Sequence, residues 1–145
     1  MARLPDVLTS DDKRSRVVQD CLTLIDAEVA DKGGISGMAI KAGYKAVKGI
    51  KPGFVEKVVH DLLPEFAGAM DPIYQEALER GKPVRAYFVD NQARLADALL
   101  AVTDGRAQRT NSGVVKATYE RLRGSAKKNV EQAIPRLAAV IEKHT

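Results

Sequence analysis

The stretch KPGFVEKVVHDLLPEFAGAMDPIYQEALERG, residues 51–81, decides the fold class of this chain. Pro52 suits the first turn of a helix, where the backbone N–H that proline lacks would have no helical acceptor. Apolar residues then recur at three- and four-residue intervals, which is the period of a helix with one buried face. They are Phe54, Val55, Val58, Val59, Leu62 and Leu63. The pattern predicts a helix that Pro64 interrupts or kinks.

The second half of this stretch carries its own helix signals. A short helical continuation is predicted over residues 66–70. Asp71 followed by Pro72 is typical of a helix start, because the first side chain can accept from free N–H groups and the second residue needs no acceptor. Gly81 is typical of a helix end. The sequence therefore predicts a further helix from Ile73 to Arg80.

Two more helices are predicted towards the N-terminus. Ser10 provides an N-cap, and apolar residues at helical spacing follow it until the turn at Lys32–Gly34. These apolar residues are Val18, Cys21, Leu22, Ile25 and Val29. The next helix covers Ser36–Ile50 and has a thin apolar face with lysines opposite it. Residues 1–9 are expected to form an N-terminal tail.

The C-terminal half continues the helical pattern. A long core helix is predicted after Pro83 from a heptad-like spacing of larger residues. These residues are Phe88, Gln92, Leu95, Leu99 and Val102. Residues 104–112 are the most loop-like internal segment, although their centre can be helical. Ser112 and Ser125 are predicted to cap the last two helices, and Pro135 is predicted to kink the final one.

We therefore expect an all-α fold, a compact single-domain bundle of six or seven helices with proline kinks that spans residues 1–145. The one weak strand candidate is Val84–Val89. A length of 145 residues corresponds to one domain. The hydrophobic content of 45% and charged content of 29% argue against disorder. With no Trp and few other aromatics, the core must consist of Ala, Val, Leu and Ile, which suits close helix packing.

Cysteine usage and hydropathy favour a cytoplasmic protein. The single cysteine, Cys21, excludes an internal disulfide and a cysteine-based zinc cluster. No apolar stretch reaches the roughly 18 to 20 residues of a transmembrane helix, so no membrane span is expected. A signal peptide is not expected either, because Pro5 and two acids come before any apolar run could develop.

The net charge of +4 is concentrated in two basic segments. In the first, Lys41, Lys45, Lys48 and Lys51 fall within one sector of the predicted Ser36–Ile50 helix. The second contains Arg106, Arg109, Lys116, Arg121, Arg123, Lys127 and Lys128. Such segments are candidates for nonspecific binding of nucleic acid, another polyanion or an anionic surface. An ordinary solvated helix face is the alternative.

Glycines recur through the first basic segment, at positions 33, 34, 37, 43, 49 and 53. They do not form the pattern G-x-x-x-x-G-K-[ST] of a phosphate-binding loop, and they do not follow a strand. Glycine lets two backbones approach closely but also weakens a helix. The glycines therefore predict either close helix packing or a mobile segment.

The chain offers little for catalysis or metal binding. His60 has Glu56 one turn before it, with Asp61 and Glu65 after it, which makes a candidate cluster for proton transfer or metal binding. The same spacing is typical of an ordinary helix surface. Cys21 lies on an apolar helix face, where we expect an inert thiol. We therefore predict no catalytic residue, no metal site and no cofactor.

Several runs of sequence carry a resemblance to a known family. They are GISGMAIKAGYKAVKGIKPGF at 34–54, LLPEF at 62–66, DPIY at 71–74 and ADALLAVTD at 96–104. With these runs the chain resembles a small bacterial family of uncharacterised helical proteins. The resemblance covers most of the chain and implies a bacterial, cytoplasmic, single-domain protein. It implies no activity and no binding residues.

The function expected from the residues is that of a non-enzymatic helical binding or protein-interaction module. A homodimer formed through an Ala-rich helix face is one form of such an interaction. The first alternative is nonspecific nucleic-acid or anionic-surface binding through the basic helices. The second alternative is a small-ligand carrier or enzyme that uses Glu56, His60 and Glu65 around an internal pocket.

Overall fold

The computed structural model describes residues 3–145 and shows seven helices and no strand within them. The helices are α1 (Leu4–Leu8), α2 (Arg14–Asp31), α3 (Gly34–Lys48), α4 (Phe54–Glu79), α5 (Val84–Asp90), α6 (Gln92–Arg109) and α7 (Gly113–His144). The all-α class and the number of helices are those predicted. Helices α2, α4, α6 and α7 surround the main core, α1 and α5 close it, and α3 packs on α7, α2 and α4.

Helix α4 corrects the predicted boundary at Asp71. The helix runs without interruption from Phe54 to Glu79, with Pro64 and Pro72 inside it. The Asp71 carboxylate does not cap α4, because its Oδ1 accepts a hydrogen bond from the backbone N–H of Leu4 at 2.8 Å. The Asp71 carboxylate therefore binds the first turn of a different helix, α1, while the backbone of α4 continues through Asp71 and Pro72.

Part of the expected N-terminal tail is a helix. Residues 4–8 form α1, and Leu4 and Leu8 are fully buried. The helix packs on α4, where Pro5 lies beside Gly68. The tail interpretation missed α1 because five residues carry too little periodicity to predict a helix, and burial against α4 supplies the missing stability.

Two predictions concern the segment that joins α4 to α5. The helix end at Gly81 is confirmed, and the strand candidate Val84–Val89 is wrong. Gly81 ends α4 with a φ of 63°, and the N–H groups of Gly81 and Lys82 donate to Leu78 and Ala77 in a Schellman motif. The strand candidate Val84–Val89 is instead helical, as part of α5. The aromatic and β-branched residues of this run favour a strand. Neighbouring side chains of a strand point to opposite faces, however, whereas Tyr87 and Phe88 are both buried here, and a helix can bury both.

The loop predicted over residues 104–112 shrinks to residues 110–112, because α6 continues to Arg109. Ser112 caps α7 as predicted, with its Oγ accepting from the N–H of Val115 at 3.3 Å. Ser125 is not a cap. It lies inside α7 and donates to the Leu122 carbonyl at 3.4 Å, and α7 also continues through Pro135.

Two further helix starts lie later than predicted. Helix α2 begins at Arg14, and the Ser10 carbonyl accepts from the N–H groups of Lys13 and Arg14 in the preceding turn. Helix α4 begins at Phe54, after Gly53 with its φ of 75°, so Pro52 lies in the turn before it. Ser10, expected as the N-cap, and Pro52, expected in the first helical turn, therefore both lie in a turn that precedes the helix.

An ion pair and a phenol join α4, α5 and α6 on one side of the bundle. The Arg94 guanidinium donates to both oxygens of the Glu76 carboxylate, at 3.0 and 2.9 Å, and the Tyr87 hydroxyl donates to the same group at 2.6 Å. Hydrogen bonds from Arg94 and then Tyr87 lower the pKa of Glu76 to about 2 from its ordinary 4.5. The carboxylate therefore stabilises the fold in its charged form.

Unfolding experiments at acidic pH should reveal how much the charged Glu76 carboxylate stabilises the fold. Because the folded pKa is the lower one, the stabilisation is complete above pH 4.5 and is lost as pH falls towards 2. We expect urea unfolding midpoints of Glu76→Gln to fall less steeply across this range than those of the unmodified chain. Glu79→Gln, an exposed carboxylate on the same helix, should keep the original slope. Identical slopes for all three proteins would contradict the assignment.

Candidate ligand-binding site

A cleft of about 350 Å³ opens between α3, α4, α6 and the start of α7. Its apolar lining residues are Val47, Phe54, Val55, Val58, Leu62, Ala107 and Val115. Its polar lining residues are Asp61, Thr103, Arg106, Arg109, Thr110 and Tyr119. The cleft thus has an apolar interior and a set of hydrogen-bonding groups that includes two arginines.

Helical spacing explains why these residues meet. Val55, Val58 and Leu62 follow one another at three and four residues on α4, so they share one face. On α6, Arg106 and Ala107 follow Thr103 at three and four residues, so these three side chains also lie on one side of their helix. The two faces meet because α4 and α6 are packed against each other, and α3 and α7 complete the walls.

The two arginines of the cleft differ in their partners. Arg106 Nη2 donates to Glu65 Oε1 at 3.2 Å and to the Asp61 carbonyl at 3.4 Å. Its Nε is buried and has no hydrogen-bond partner among residues 3–145. Arg109, one turn further along α6, forms no ion pair within the same residues. The cleft is therefore lined by one guanidinium, that of Arg109, which has no carboxylate partner among these residues and can bind an oxyanion.

Tyr119 forms a fixed part of the cleft wall. Its hydroxyl donates to the Asp104 carboxylate and lies 2.8 Å from Thr103 Oγ1. Arg123 binds the same carboxylate through Nε at 2.8 Å and Nη2 at 3.1 Å. Burial, and then the bond to Asp104, raise the pKa of Tyr119, while Arg123 and then Tyr119 lower the pKa of Asp104. The hydroxyl therefore stays protonated and serves as a wall rather than as a base.

A second cavity, which we call the core chamber, lies among α2, α4, α6 and α7. Its volume is about 190 Å³, and its lining is apolar apart from Cys21 and Thr103. Burial, and then the nearby Asp20 carboxylate, raise the pKa of the Cys21 thiol to about 11, so the thiol is neutral and unreactive at neutral pH. Thr103 lines both the core chamber and the cleft. The two cavities therefore adjoin at this residue.

Of the candidate cluster of Glu56, His60 and Glu65, the structure brings Glu56 and His60 to one open surface groove, whose lining does not include Glu65. The His60 side chain is 51% exposed, with its Nδ1 at 3.5 Å from Asp61. Glu56 accepts from Gln19 at 3.2 Å, and Glu65 binds Arg106. Within residues 3–145, no group of three His, Cys, Asp or Glu side chains is placed to hold a metal ion.

His144, the other histidine, is buried and hydrogen-bonded, although its place near the C-terminus gave no indication of this. Its Nε2 lies 2.7 Å from Asp20 Oδ2. Lys143 binds the same carboxylate at 3.0 Å, and Lys13 donates to the His144 carbonyl at 3.0 Å. Hydrogen bonding to His144 is the main cause that lowers the pKa of Asp20. These contacts hold the end of α7 against α2.

The lysines of the first basic segment have three different environments. Lys41 and Lys45 are exposed on α3 without an ion-pair partner in the described part of the chain. Lys48 lies 4.0 Å from Asp26 on α2 and stacks over the Tyr44 ring at 5.0 Å. Lys51 lies beyond the end of α3, in the turn before α4. Only the first two are therefore free positive charges on the helix.

The second basic segment is partly neutralised. Arg106, Arg123 and Lys127 pair with Glu65, Asp104 and Asp97, respectively. The remaining members, Arg109, Lys116, Arg121 and Lys128, form no ion pair among the described residues. Two residues of the segment, Arg106 and Arg109, line the cleft. The other five lie outside it, and two of them, Arg123 and Lys127, form ion pairs.

Close packing accounts for two of the glycines in the first segment. A Cβ at Gly43 would lie 2.8 Å from Thr118 Cγ2 and 3.2 Å from Leu122 Cδ1, so this glycine lets α3 approach α7. A Cβ at Gly37 would lie 2.6 Å from the Lys32 backbone. Of the two interpretations of the glycines, these distances support close packing.

Comparison with known proteins gives a family and no activity. No helix among the described residues is long and apolar enough to cross a membrane. No curated protein and no solved structure matches the chain. One family model, described as a family of unknown function (DUF6918), matches residues 4–145. The match spans α1 to α7, and the chain therefore belongs to this family of unknown function, DUF6918.

Proposed function

We propose that the protein binds a small amphipathic anion, a molecule with an apolar body and one carboxylate, sulfonate or phosphate group, without transforming it. The observation that carries this proposal is the cleft itself, in which an apolar interior adjoins Arg109, a guanidinium that forms no ion pair among residues 3–145. An anion without an apolar body would leave the valine and phenylalanine walls unused.

The apolar body of the ligand fits the size and chemistry of the cleft. The cleft of about 350 Å³ falls within the range of small-molecule sites, roughly 300 to 1,000 Å³. Contact with Phe54, Val58 and Leu62 would remove apolar ligand surface from water, which is the main source of affinity in such sites.

The charged group of the ligand is assigned to the arginines. Arg106 is already oriented by its bonds to Glu65 and to the Asp61 carbonyl, so its positive charge is held at the cleft with little further loss of side-chain freedom. Arg109 can supply the compensating charge, because no carboxylate among residues 3–145 pairs with it. A planar guanidinium suits oxyanions in particular.

The proposal can be tested by fluorescence titration with 1-anilinonaphthalene-8-sulfonate, which combines an apolar ring system with a sulfonate. We expect saturable binding that straight-chain fatty acids displace and that alcohols of the same chain length displace poorly. Arg109→Gln should weaken binding about tenfold, the usual effect of losing one charge-assisted hydrogen bond. Arg121→Gln, which removes an unpaired arginine outside the cleft, should leave binding unchanged.

A larger side chain in the cleft distinguishes binding in the cleft from binding elsewhere on the surface. Val58→Phe should narrow the cleft and weaken displacement by fatty acids, whereas Val89→Phe alters a similarly exposed valine on α5 that does not line it. Equal binding by both variants, or equal displacement by acids and alcohols, would overturn the proposal. Thermal unfolding of each variant verifies that it is folded.

A further inference from the structure

The outward face of α3 carries the two most exposed large apolar side chains among residues 3–145. Ile35 is 88% exposed and Met38 is 70% exposed. Ala42 and Ala46 follow at four-residue steps and are also exposed, so the four residues share one side of the helix. We call these four residues the α3 face. No described part of the chain covers it.

The charge beside the α3 face has a single sign. Lys41 and Lys45 are exposed and unpaired, and they lie next to Met38 and Ala42 on the helix surface. The sequence contains no Asp or Glu from Lys32 through Val55. Two acids of α2 lie towards α3 and are already paired: Asp26 accepts from the Tyr44 hydroxyl at 2.6 Å and lies 4.0 Å from Lys48, and Asp31, four residues before Ile35, binds Arg136 at 2.5 Å.

The opposite side of α3 holds the helix in this orientation. Gly37 and Gly43 are buried, and the Gly43 backbone lies against Thr118 and Leu122 of α7. If α3 rotated to turn Ile35 and Met38 inwards, these side chains would replace Gly37 and Gly43 at the contacts with the Lys32 backbone and with α7. Those contacts have no room even for a Cβ atom. The exposure of the apolar residues is therefore imposed by packing.

We infer that the α3 face docks on the surface of an anionic lipid bilayer, with Ile35 and Met38 entering the boundary between headgroups and acyl chains and with Lys41 and Lys45 meeting lipid phosphates. Charge complementarity selects this occupant. A second copy of the chain would place its lysines against these lysines, and a nucleic acid would leave Ile35 and Met38 in water. An anionic bilayer satisfies both features.

This inference is independent of the proposed ligand, because none of the α3 face residues lines the cleft. The test is co-sedimentation of the full chain with lipid vesicles. We expect binding to vesicles of phosphatidylcholine mixed with phosphatidylserine, weaker binding as salt rises, and none to phosphatidylcholine alone. The double variant Lys41→Gln, Lys45→Gln should reduce partitioning more than tenfold, at about fivefold for each lysine.

The apolar contribution needs its own variant and matched controls. The double variant Ile35→Ser, Met38→Ser should abolish binding, because charge alone holds a protein only loosely at this surface. Leu78→Ser, Val89→Ser changes exposed apolar residues on other helices, and Lys57→Gln, Lys82→Gln changes exposed lysines on other segments. Both control variants should bind as the unmodified chain does.

Three results would overturn the inference. The first is equal binding by the Ile35→Ser, Met38→Ser variant, which would indicate simple charge attraction. The second is binding of duplex DNA that requires Lys41 and Lys45, without any binding to anionic vesicles, which would assign the surface to nucleic acid. The third is a dimer in sedimentation that dissociates on Ile35→Ser, Met38→Ser, which would assign the α3 face to a second copy.

Discussion

Replacing Leu4 with alanine is expected to lower the free energy of unfolding by about 2–5 kcal/mol, the usual cost of truncating a fully buried leucine. Leu4 is 0% exposed and belongs to the main core, although it lies near the N-terminus in a segment that the sequence alone assigned to a tail. Urea unfolding followed by circular dichroism measures the effect. Leu78→Ala, a truncation of a 37% exposed leucine on α4, should cost about 1 kcal/mol or less.

A double-mutant cycle extends this result to the hydrogen bond that holds α1. Asp71→Ala leaves the buried N–H of Leu4 without its acceptor, which typically costs about 1–3 kcal/mol. Because both substitutions release α1 from α4, their effects should not add, with a coupling of about 0.5 kcal/mol or more. If Leu4→Ala is no more destabilising than Leu78→Ala, α1 is not docked on α4.

The second large effect is expected at the contact between α3 and α7. Gly43→Val should destabilise the protein by about 1–3 kcal/mol, the usual cost of overpacking. The cause is the missing room, since a Cβ there would lie 2.8 Å from Thr118 Cγ2. Helix propensity does not obscure the result, because valine and glycine are both poorer helix formers than alanine.

The matched control is Gly124→Val, which makes the same chemical change inside α7 where a Cβ would meet nothing within 4 Å. This variant should be unchanged or slightly more stable, and the difference between the two urea midpoints isolates the packing at Gly43. Equal midpoints would show that α3 does not approach α7 as closely as described. The same loss of contact should also reduce ligand binding, since α3 forms one wall of the cleft.

The helix signals that proved correct act within a few residues. At the end of α4 the N–H groups of Gly81 and Lys82 donate to Leu78 and Ala77, and Ser112 caps α7 by accepting from Val115. In both cases every partner lies within five residues in the sequence, and the required backbone conformation is a property of the residue type. Because all the partners are local, features of this kind can be predicted from sequence.

The cap predictions that proved wrong concern the same residue types, whose side chains form other hydrogen bonds in the structure. Asp71 accepts from Leu4, 67 residues away, and Ser125 donates to its own helix. A cap residue needs a free N–H group as its partner, and nothing in the sequence near Asp71 identifies which helix supplies it. Helices α4 and α7 continue through their prolines because burial along their length outweighs the loss of single hydrogen bonds.

The candidate site was predicted only in fragments. Arg106 and Arg109 were selected for their charge, but their position in a cleft depends on the packing of α4 against α6. Val58 and Thr103 were missed as site residues, since a cleft-lining residue and a core residue have the same helical spacing. Glu56, His60 and Glu65 have suitable spacing, but Glu56 and Glu65 bind Gln19 and Arg106 instead.

By itself the sequence determined the helical class, the absence of a recognisable catalytic motif and the basic, glycine-rich character of α3, because these depend on composition and on spacing along one helix. Only the tertiary structure decided that α1 joins the core, that the Asp71 carboxylate binds its first turn and that Ile35 and Met38 face outwards. The physical reason is distance along the chain. Each of these features depends on which helix packs beside another, and that choice is made by the total burial of the fold rather than by any local pattern.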